Sequence, residues 1–318
     1  MGSGFCMRCL ELFAGAGGAA LGLERAGLKH AALCEWDRDA CATLRAAGLG
    51  PVVEGDVRDL DAIAAAIGPD PVDVLWSSFP CQAFSTAGKR MGAADERNGW
   101  PWTVAAIDRF RPAWFLGENV RGLLLHTGGC TFAGGQEGLF SQPDPTRCPG
   151  CYFERAILPD LRRRFAHVGW WLLDAADFGV PQHRRRVILW AGPRPLAEPA
   201  PTHGPGRALP WVSMGAALGL TGEGTAWLSQ PSPTVSAVGE EKGSGPGGNP
   251  EKMQRASDAL YLGTGRRRLT TAECAVLQDF PADHPFQGGI GAQYRQIGNA
   301  VPPRLAEVVG RALFEAAQ

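Results

Sequence analysis

Cys81 stands in the stretch Ser77-Ser78-Phe79-Pro80-Cys81-Gln82-Ala83-Phe84-Ser85, directly after the apolar run Val72-Asp73-Val74-Leu75-Trp76. The run reads as a buried strand, and the loop beyond it carries Gly88 and Gly92. In open α/β sheets ligands bind past the carboxyl ends of the strands. A thiol at that edge has the position of a nucleophile, with the fixed φ of Pro80 before it and the amide of Gln82 after it. The thiol alone does not decide the matter, because unpaired cysteines are more often small buried hydrophobes.

A second group could hold a cofactor. Phe13-Ala14-Gly15-Ala16-Gly17-Gly18 falls between a strand at 10–13 and a helical segment ending near Ala26. Glycines between a strand and a helix let a ligand approach the backbone closely. Gly15 and Gly17 fit the first two positions of Gly-x-Gly-x-x-Gly, while Ala20 occupies the third, which only the looser form of the pattern accepts. An acidic residue about 20 positions further on, at the end of the second strand, can bind ribose hydroxyls. Glu35 is there, with Trp36 beside it for an adenine face and Asp56 after the third strand for an adenine amino group. On these residues alone, NAD and S-adenosylmethionine both remain open.

A third group has the chemistry of a metal site. His126, Cys130, Cys148 and Cys151 lie in a Gly/Pro-rich insertion and are spaced His-x3-Cys and Cys-x2-Cys. Four soft ligands in a segment poor in apolar residues suit tetrahedral zinc, which would order a loop lacking its own core. The alternative is a set of surface thiols without metal.

These residues need elements to position them. Further strands are expected at 31–34, 52–53, 72–76, 114–116, 170–173 and 187–190, with helices at 40–44 and 59–67 between the early ones. Strands alternating with helices indicate an α/β fold with a mainly parallel, Rossmann-like sheet and helices on both faces. After Trp190 the chain becomes rich in Pro and Gly, and 243–250 reads as a loop. Regular structure returns with a helix at 271–278, capped by Thr270 or Thr271 with Glu273 in its first turn, and an amphipathic helix at 303–317. The division expected is a catalytic and cofactor-binding unit, 1–190 plus 266–318, carrying the insertion at 126–151, and a smaller irregular unit at 191–265.

The 318 residues are 45% hydrophobic and 20% charged, enough to bury a sizeable core. No apolar run approaches the roughly 18 residues of a membrane span, and the first residues do not resemble an export signal. Nine cysteines, an odd number, suggest a reducing cytoplasm rather than a disulfide framework. Net charge is −1, yet Arg162-Arg163-Arg164, Arg184-Arg185-Arg186 and Arg266-Arg267-Arg268 are tight basic clusters. Such clusters can make a local phosphate-binding face on a neutral protein.

Taken in order, six motifs resemble those of the cytosine-C5 DNA methyltransferases of the bacterial restriction-modification type. They are the glycine-rich turn at 12–18, Pro80-Cys81-Gln82, Gly117-Glu118-Asn119-Val120, and Gly179-Val180-Pro181-Gln182-His183-Arg184-Arg185-Arg186. Arg268-Leu269-Thr270 with Leu277-Gln278-Asp279-Phe280-Pro281 follows, and Tyr294-Arg295-Gln296-Ile297-Gly298-Asn299-Ala300-Val301-Pro302 closes the set. The resemblance spans nearly the whole chain.

The resemblance implies an S-adenosylmethionine-dependent methyltransferase acting on double-stranded DNA. Cys81 would attack C6 of a cytosine and so make C5 nucleophilic. Glu118 would hold the base at N3, Arg186 at O2, and Arg184 would support the same site electrostatically. On a strand, Arg185 would point to the other face. The base that removes the C5 proton is not identified, a water near Glu118 or Asn119 being one reading. Phe13, Ala14, Gly15, Gly17 and Gly18 would surround the methionine and ribose of the cofactor. Glu35, Trp36, Asp56, Val57, Pro80, Trp100 and Asn299 would complete its pocket. The target base must leave the duplex. The loop 83–100 would close over it, with Gln82, Ser85, Lys89, Arg90 and Arg97 toward the nucleic acid. Pro233-Thr234-Val235 resembles the family's recognition motif, Thr234 holding the backbone beside the flipped base, and 191–265 stands in the target-recognition position. The expected molecule is a cytoplasmic monomer, with a cognate restriction endonuclease as its partner in the cell. A tRNA cytosine methyltransferase and a catalytically silent DNA-binding relative are the competing readings. The first lacks its Cys-Phe-Thr signature here, the nearest text being Cys130-Thr131-Phe132, and intact Cys81, Glu118 and Arg186 argue against the second.

Overall fold

The computed structural model describes residues 6–80, 98–126, 148–220, 226–235 and 269–318. Cys81, Gln82, Ser85, Lys89, Arg90, Arg97, Cys130 and Arg266 to Arg268 lie outside the described residues.

Seven strands form one sheet: β1 (Arg8–Leu12), β2 (Lys29–Glu35), β3 (Val52–Glu54), β4 (Val74–Ser77), β5 (Trp114–Val120), β6 (His167–Asp174) and β7 (Arg185–Gly192), in the order β3-β2-β1-β4-β5-β7-β6. Helices α1 (Gly18–Arg25), α2 (Arg38–Ala46), α3 (Leu60–Ile67) and α4 (Trp100–Phe110) follow β1 to β4 in turn. The short helices α5 (Pro149–Tyr152) and α6 (Leu158–Arg162) precede β6. Helices α7 (Met214–Leu218), α8 (Thr271–Leu277), α9 (Ile290–Asn299) and α10 (Pro303–Ala317) follow β7. No helix among the described residues is long and apolar enough to cross a membrane.

Strands β1, β4, β5 and β7 are buried almost end to end, as strands covered on both faces must be. On one face Ile63 and Ile67 of α3 and Trp100, Ala106 and Ile107 of α4 pack with Phe115 and Leu189. On the other, Ala19 and Leu23 of α1 meet Leu305, Val309 and Leu313 of α10 over Trp76 and Ile188. β7 runs to Gly192, and Leu196 is buried in that second core.

The sheet is parallel from β3 through β5. β7 then lies antiparallel between β5 and β6. The reason is length. Only a 3₁₀ turn, Ala175–Phe178, and a few residues join β6 to β7, whereas a parallel crossover needs about a dozen residues or more.

The helix at α8 forms with Thr270 as its N-cap, in a reciprocal capping box with Glu273. It joins α7 and α9 in a smaller core of Met214, Val235, Leu269, Cys274, Leu277 and Ile297. Helices α4 and α9 were not among the expected elements. α4 opens on Trp-Pro-Trp, and α9 is short and mostly polar, its large apolar positions Ile290, Tyr294 and Ile297 separated by small and polar residues.

Candidate active site

The order reverses beside β1, whose neighbours are β2 and β4, and such a switch point opens a crevice at the carboxyl ends of the strands. Registers place Leu12 beside Ser77, Ser77 beside Gly117, and Val120 beside Arg186. One edge thus receives the ends of β1, β4 and β5 and the start of the antiparallel β7.

The backbone just before residue 81 is held firmly. Asn119 Nδ2 donates to the Phe79 carbonyl at 2.9 Å, while its Oδ1 accepts from the Val120 amide. The Gly99 amide faces the Pro80 carbonyl at 3.5 Å, and a Cβ on Gly99 would lie 2.5 Å from Pro80 Cδ. Asn119 is therefore a positioning residue, its amide committed to main chain on both sides.

Glu118 and Arg186 are diagonal neighbours on one face of β5 and β7, because Val120 pairs with Arg186 and Glu118 with Ile188. Arg186 Nε lies 2.7 Å from Glu118 Oε1, each side chain only 10% exposed. Burial pulls the guanidinium pKa down against the opposing pull of Glu118. Arg185 points to the other face, as alternation requires, with Nε 3.3 Å from Asp174 Oδ2.

Arg184 behaves differently from its expected electrostatic role beside the base. It is 1% exposed and donates to three carbonyls: Val235 at 3.0 Å, Gly298 at 2.8 Å and Ala300 at 2.8 Å. Burial pushes its pKa well down, and the neighbouring Arg186 adds to that. It is a structural clamp. Two glutamines that the sequence reading gave no role complete it. Gln182 donates to the Leu277 carbonyl at 3.1 Å and accepts from the Val235 amide at 2.8 Å. Gln278 donates to the Ala300 carbonyl at 2.6 Å. Both stand inside the quoted motifs, which was the only signal available. Thr234 is exposed, and its hydroxyl donates to the His183 carbonyl at 2.7 Å.

On the other side of the edge lie the residues expected to hold a cofactor. Phe13 takes a left-handed φ of 59° and lays its ring against Trp102 at 6.4 Å. Gly15 also has a positive φ, 55°, and a Cβ there would meet nothing within 4 Å. Its amide donates to Glu35 Oε2 at 2.8 Å, while Glu35 Oε1 accepts from the amides of Trp36 and Asp37. Burial raises the Glu35 pKa, and those amides oppose the rise. Trp36 is 80% exposed at the mouth. Asp56 is gripped by Arg58, which holds its carboxyl below the usual range, and Arg58 lies over Trp102 at 5.3 Å. Ala14 and Val57 are buried, and Asn299 is exposed at the end of α9.

Three of the expected cofactor residues have packing roles. A Cβ on Gly17 would lie 2.5 Å from Leu49 Cδ1, and one on Gly18 2.2 Å from the Val301 carbonyl, so both glycines let α1 pack closely. Trp100 is 1% exposed, tilts against Phe79 at 5.2 Å and donates its indole N–H to Asp160 at 2.8 Å. Its side chain faces the core rather than the cleft. Behind the cleft, burial pushes the Cys34 and Cys41 thiols up to about 12, which makes them inert.

His126, Cys148 and Cys151 come together, their ligand atoms within 4.8 Å of one another.

A switch-point crevice with a glycine turn on one side and a buried carboxylate–guanidinium pair on the other, on this sheet, is the site of a Rossmann-like α/β enzyme. The comparisons narrow the class. Residues 7–137 and 226–315 match the C-5 cytosine-specific DNA methylase profile. Type II methyltransferase M.NgoMIV of Neisseria gonorrhoeae is 34% identical over 96% of this chain and 97% of its own length. Type II methyltransferase M.Eco47II of Escherichia coli is 33% identical over 96% and 78%. The solved S. pombe Dnmt2 methyltransferase shares the fold, with a TM-score of 0.67 at 15% identity, over 98% of this chain and 99% of that one. The chain belongs to the C-5 cytosine-specific DNA methylase family and is a DNA methyltransferase.

Proposed function

We propose that this protein methylates C5 of a cytosine flipped out of duplex DNA, with Cys81 as the nucleophile. The observation that carries the reading is the buried Arg186–Glu118 pair beside the braced backbone that leads into residue 81. The Cys81 thiolate forms a bond to C6, and the electron pair of the C5–C6 double bond becomes available at C5. Glu118 stabilises the attacked ring at N3 and Arg186 binds O2, so charge developing on the ring meets groups already in place. Loss of the C5 proton to a base then restores the double bond and expels Cys81 as thiolate.

The cleft fits S-adenosylmethionine, which when bound supplies an electrophilic methyl group. Open space at Gly15, the braced Glu35 and the exposed Trp36 support that fit. Phe13, Ala14, Gly15, Glu35, Trp36, Asp56, Val57, Pro80 and Asn299 would hold it, on a turn shaped by Gly17 and Gly18. Gln82, Ser85, Lys89, Arg90, Arg97 and Thr234 would meet the DNA, and 191–265 would choose its sequence. Similarity to Type II methyltransferases supports a place beside a cognate restriction endonuclease in the cytoplasm. The protein would act there as a monomer.

The test is labelled S-adenosylmethionine with duplex DNA or tRNA, comparing wild type with Cys81→Ser. Labelled DNA with wild type alone is expected, and bisulfite sequencing then gives the site. Label in tRNA but not DNA would overturn the reading.

A further inference from the structure

The methyl-transfer chemistry uses neither His126 nor Cys148 nor Cys151, yet the fold assembles them. Cys148 and Cys151 are each 2% exposed. His126 Nδ1 lies 3.8 Å from both sulfurs. Tetrahedral zinc, bonded to sulfur at about 2.3 Å and to nitrogen at about 2.0 Å, would set nitrogen and sulfur roughly 3.6 Å apart. The two nitrogen–sulfur distances are close to that before any ion draws the ligands in.

Three surrounding features belong to a built site. His126 Nε2, the ring nitrogen away from the sulfurs, lies 3.4 Å from Glu154 Oε1. A carboxylate on the far nitrogen is the partner that orients imidazole ligands and raises their basicity. A Cβ on Gly150 would lie 2.7 Å from His126 Nε2, so the residue between the two cysteines leaves room for the ring. The Gly150 amide donates to the Leu125 carbonyl at 3.1 Å and fixes the cysteine turn to the segment that presents His126.

We propose that His126 Nδ1 and the thiolates of Cys148 and Cys151 supply three of the four ligands of a structural zinc ion that staples together the two ends of the 127–147 insertion. Each cysteine loses its thiol proton on binding, and neither sulfur nor metal changes oxidation state. The staple lies between two parts of the catalytic edge. His126 closely follows the 3₁₀ turn Arg121–Leu124, which continues from Glu118 and Asn119. Tyr152 follows Cys151, and its hydroxyl accepts from Asn98 Nδ2 at 2.8 Å, next to the Gly99 that packs on Pro80. Zinc would hold both walls at a fixed separation.

The experiment uses the full chain purified under reducing conditions without chelator. Elemental analysis is expected to give about one zinc per chain, and cobalt exchange a thiolate-to-metal charge-transfer band. Cys148→Ser/Cys151→Ser should lose both. Glu154→Gln removes no ligand and leaves the fold intact. It should bind cobalt about 10- to 100-fold more weakly while keeping the band. A strong chelator should lower the melting temperature of wild type but not of the double variant. Metal-free wild type after incubation with zinc and reductant would overturn the proposal. So would equal metal content in the double variant, or unchanged cobalt affinity in Glu154→Gln.

Discussion

The arginines of one motif show how little of a residue's role its type reveals. Arg184 and Arg186 are two positions apart in one motif, yet Arg186 meets a carboxylate at the reacting edge and Arg184 meets only carbonyls in the interior. Their variants should therefore fail differently. Glu118→Gln keeps the size of the side chain and an acceptor for Arg186. Single-turnover methylation should fall by about 10²- to 10⁴-fold, with DNA still bound. Arg184→Met removes the donor from the Val235 and Gly298 carbonyls, while Ala300 keeps Gln278, and each such buried loss costs about 1–3 kcal/mol. Urea denaturation should show a deficit of several kcal/mol, with activity lost through the fold. The motif's residue types pointed to Glu118 and Arg186, and the fold brings these two side chains into contact. Residue types could not separate Arg184 from Arg186, because that difference depends on carbonyls more than fifty residues away.

At the scale of elements, hydrophobic runs and caps were legible. The six strands expected beyond the first, the Thr270 cap and the last helix all occur, because each rests on local pattern. The reversed β7 and the polar α9 rest on packing and connection length, and the pattern did not show them. The glycine turn is a mixed case. Gly15 faces open space, but Gly18 is a packing residue of α1. Gly18→Ala should destabilise by about 1–3 kcal/mol through its clash with the Val301 carbonyl, seen as a lower melting temperature with or without cofactor. Strands β1 and β2 also bury a charged group. The His30 side chain is fully buried, 3.1 Å from Glu11 and 3.3 Å from Glu24. Burial alone would pull its pKa down, but hydrogen bonds with Cys9, Glu11 and Glu24 hold it well above the ordinary value. A histidine raised in the folded state stabilises fully below its unfolded pKa of about 6.5, and that stability is lost as pH rises through the folded value. Burial raises the Glu11 pKa too, which acts in the same direction. Wild type should lose stability to denaturant on going from about pH 6 to pH 9, and His30→Gln should flatten the slope.

For the whole molecule, a net charge of −1 means that DNA affinity must come from local clusters rather than a global field. Replacing Arg266, Arg267 and Arg268 by glutamine should weaken DNA binding and make its salt dependence shallower, by about 0.9 in the logarithmic slope for each phosphate contact removed. The melting temperature should stay the same. Which base sequence is read was never legible, since base readout depends on loop geometry rather than on residue types. The Arg184 clamp bears on how residues 191–235 can change. Arg184 and Gln182 reach Val235 only through its carbonyl and amide, and Thr234 reaches back only to a carbonyl. The anchor joins main-chain contacts at Val235 to the Thr234 hydroxyl and to the buried Val235 side chain. The 191–235 stretch is thus moored to β7 and α8 by a few fixed points, while the residues between them are free of those contacts. Any exchange of that stretch would have to keep a hydroxyl at 234 and an apolar side chain at 235 to leave the Arg184 clamp in place.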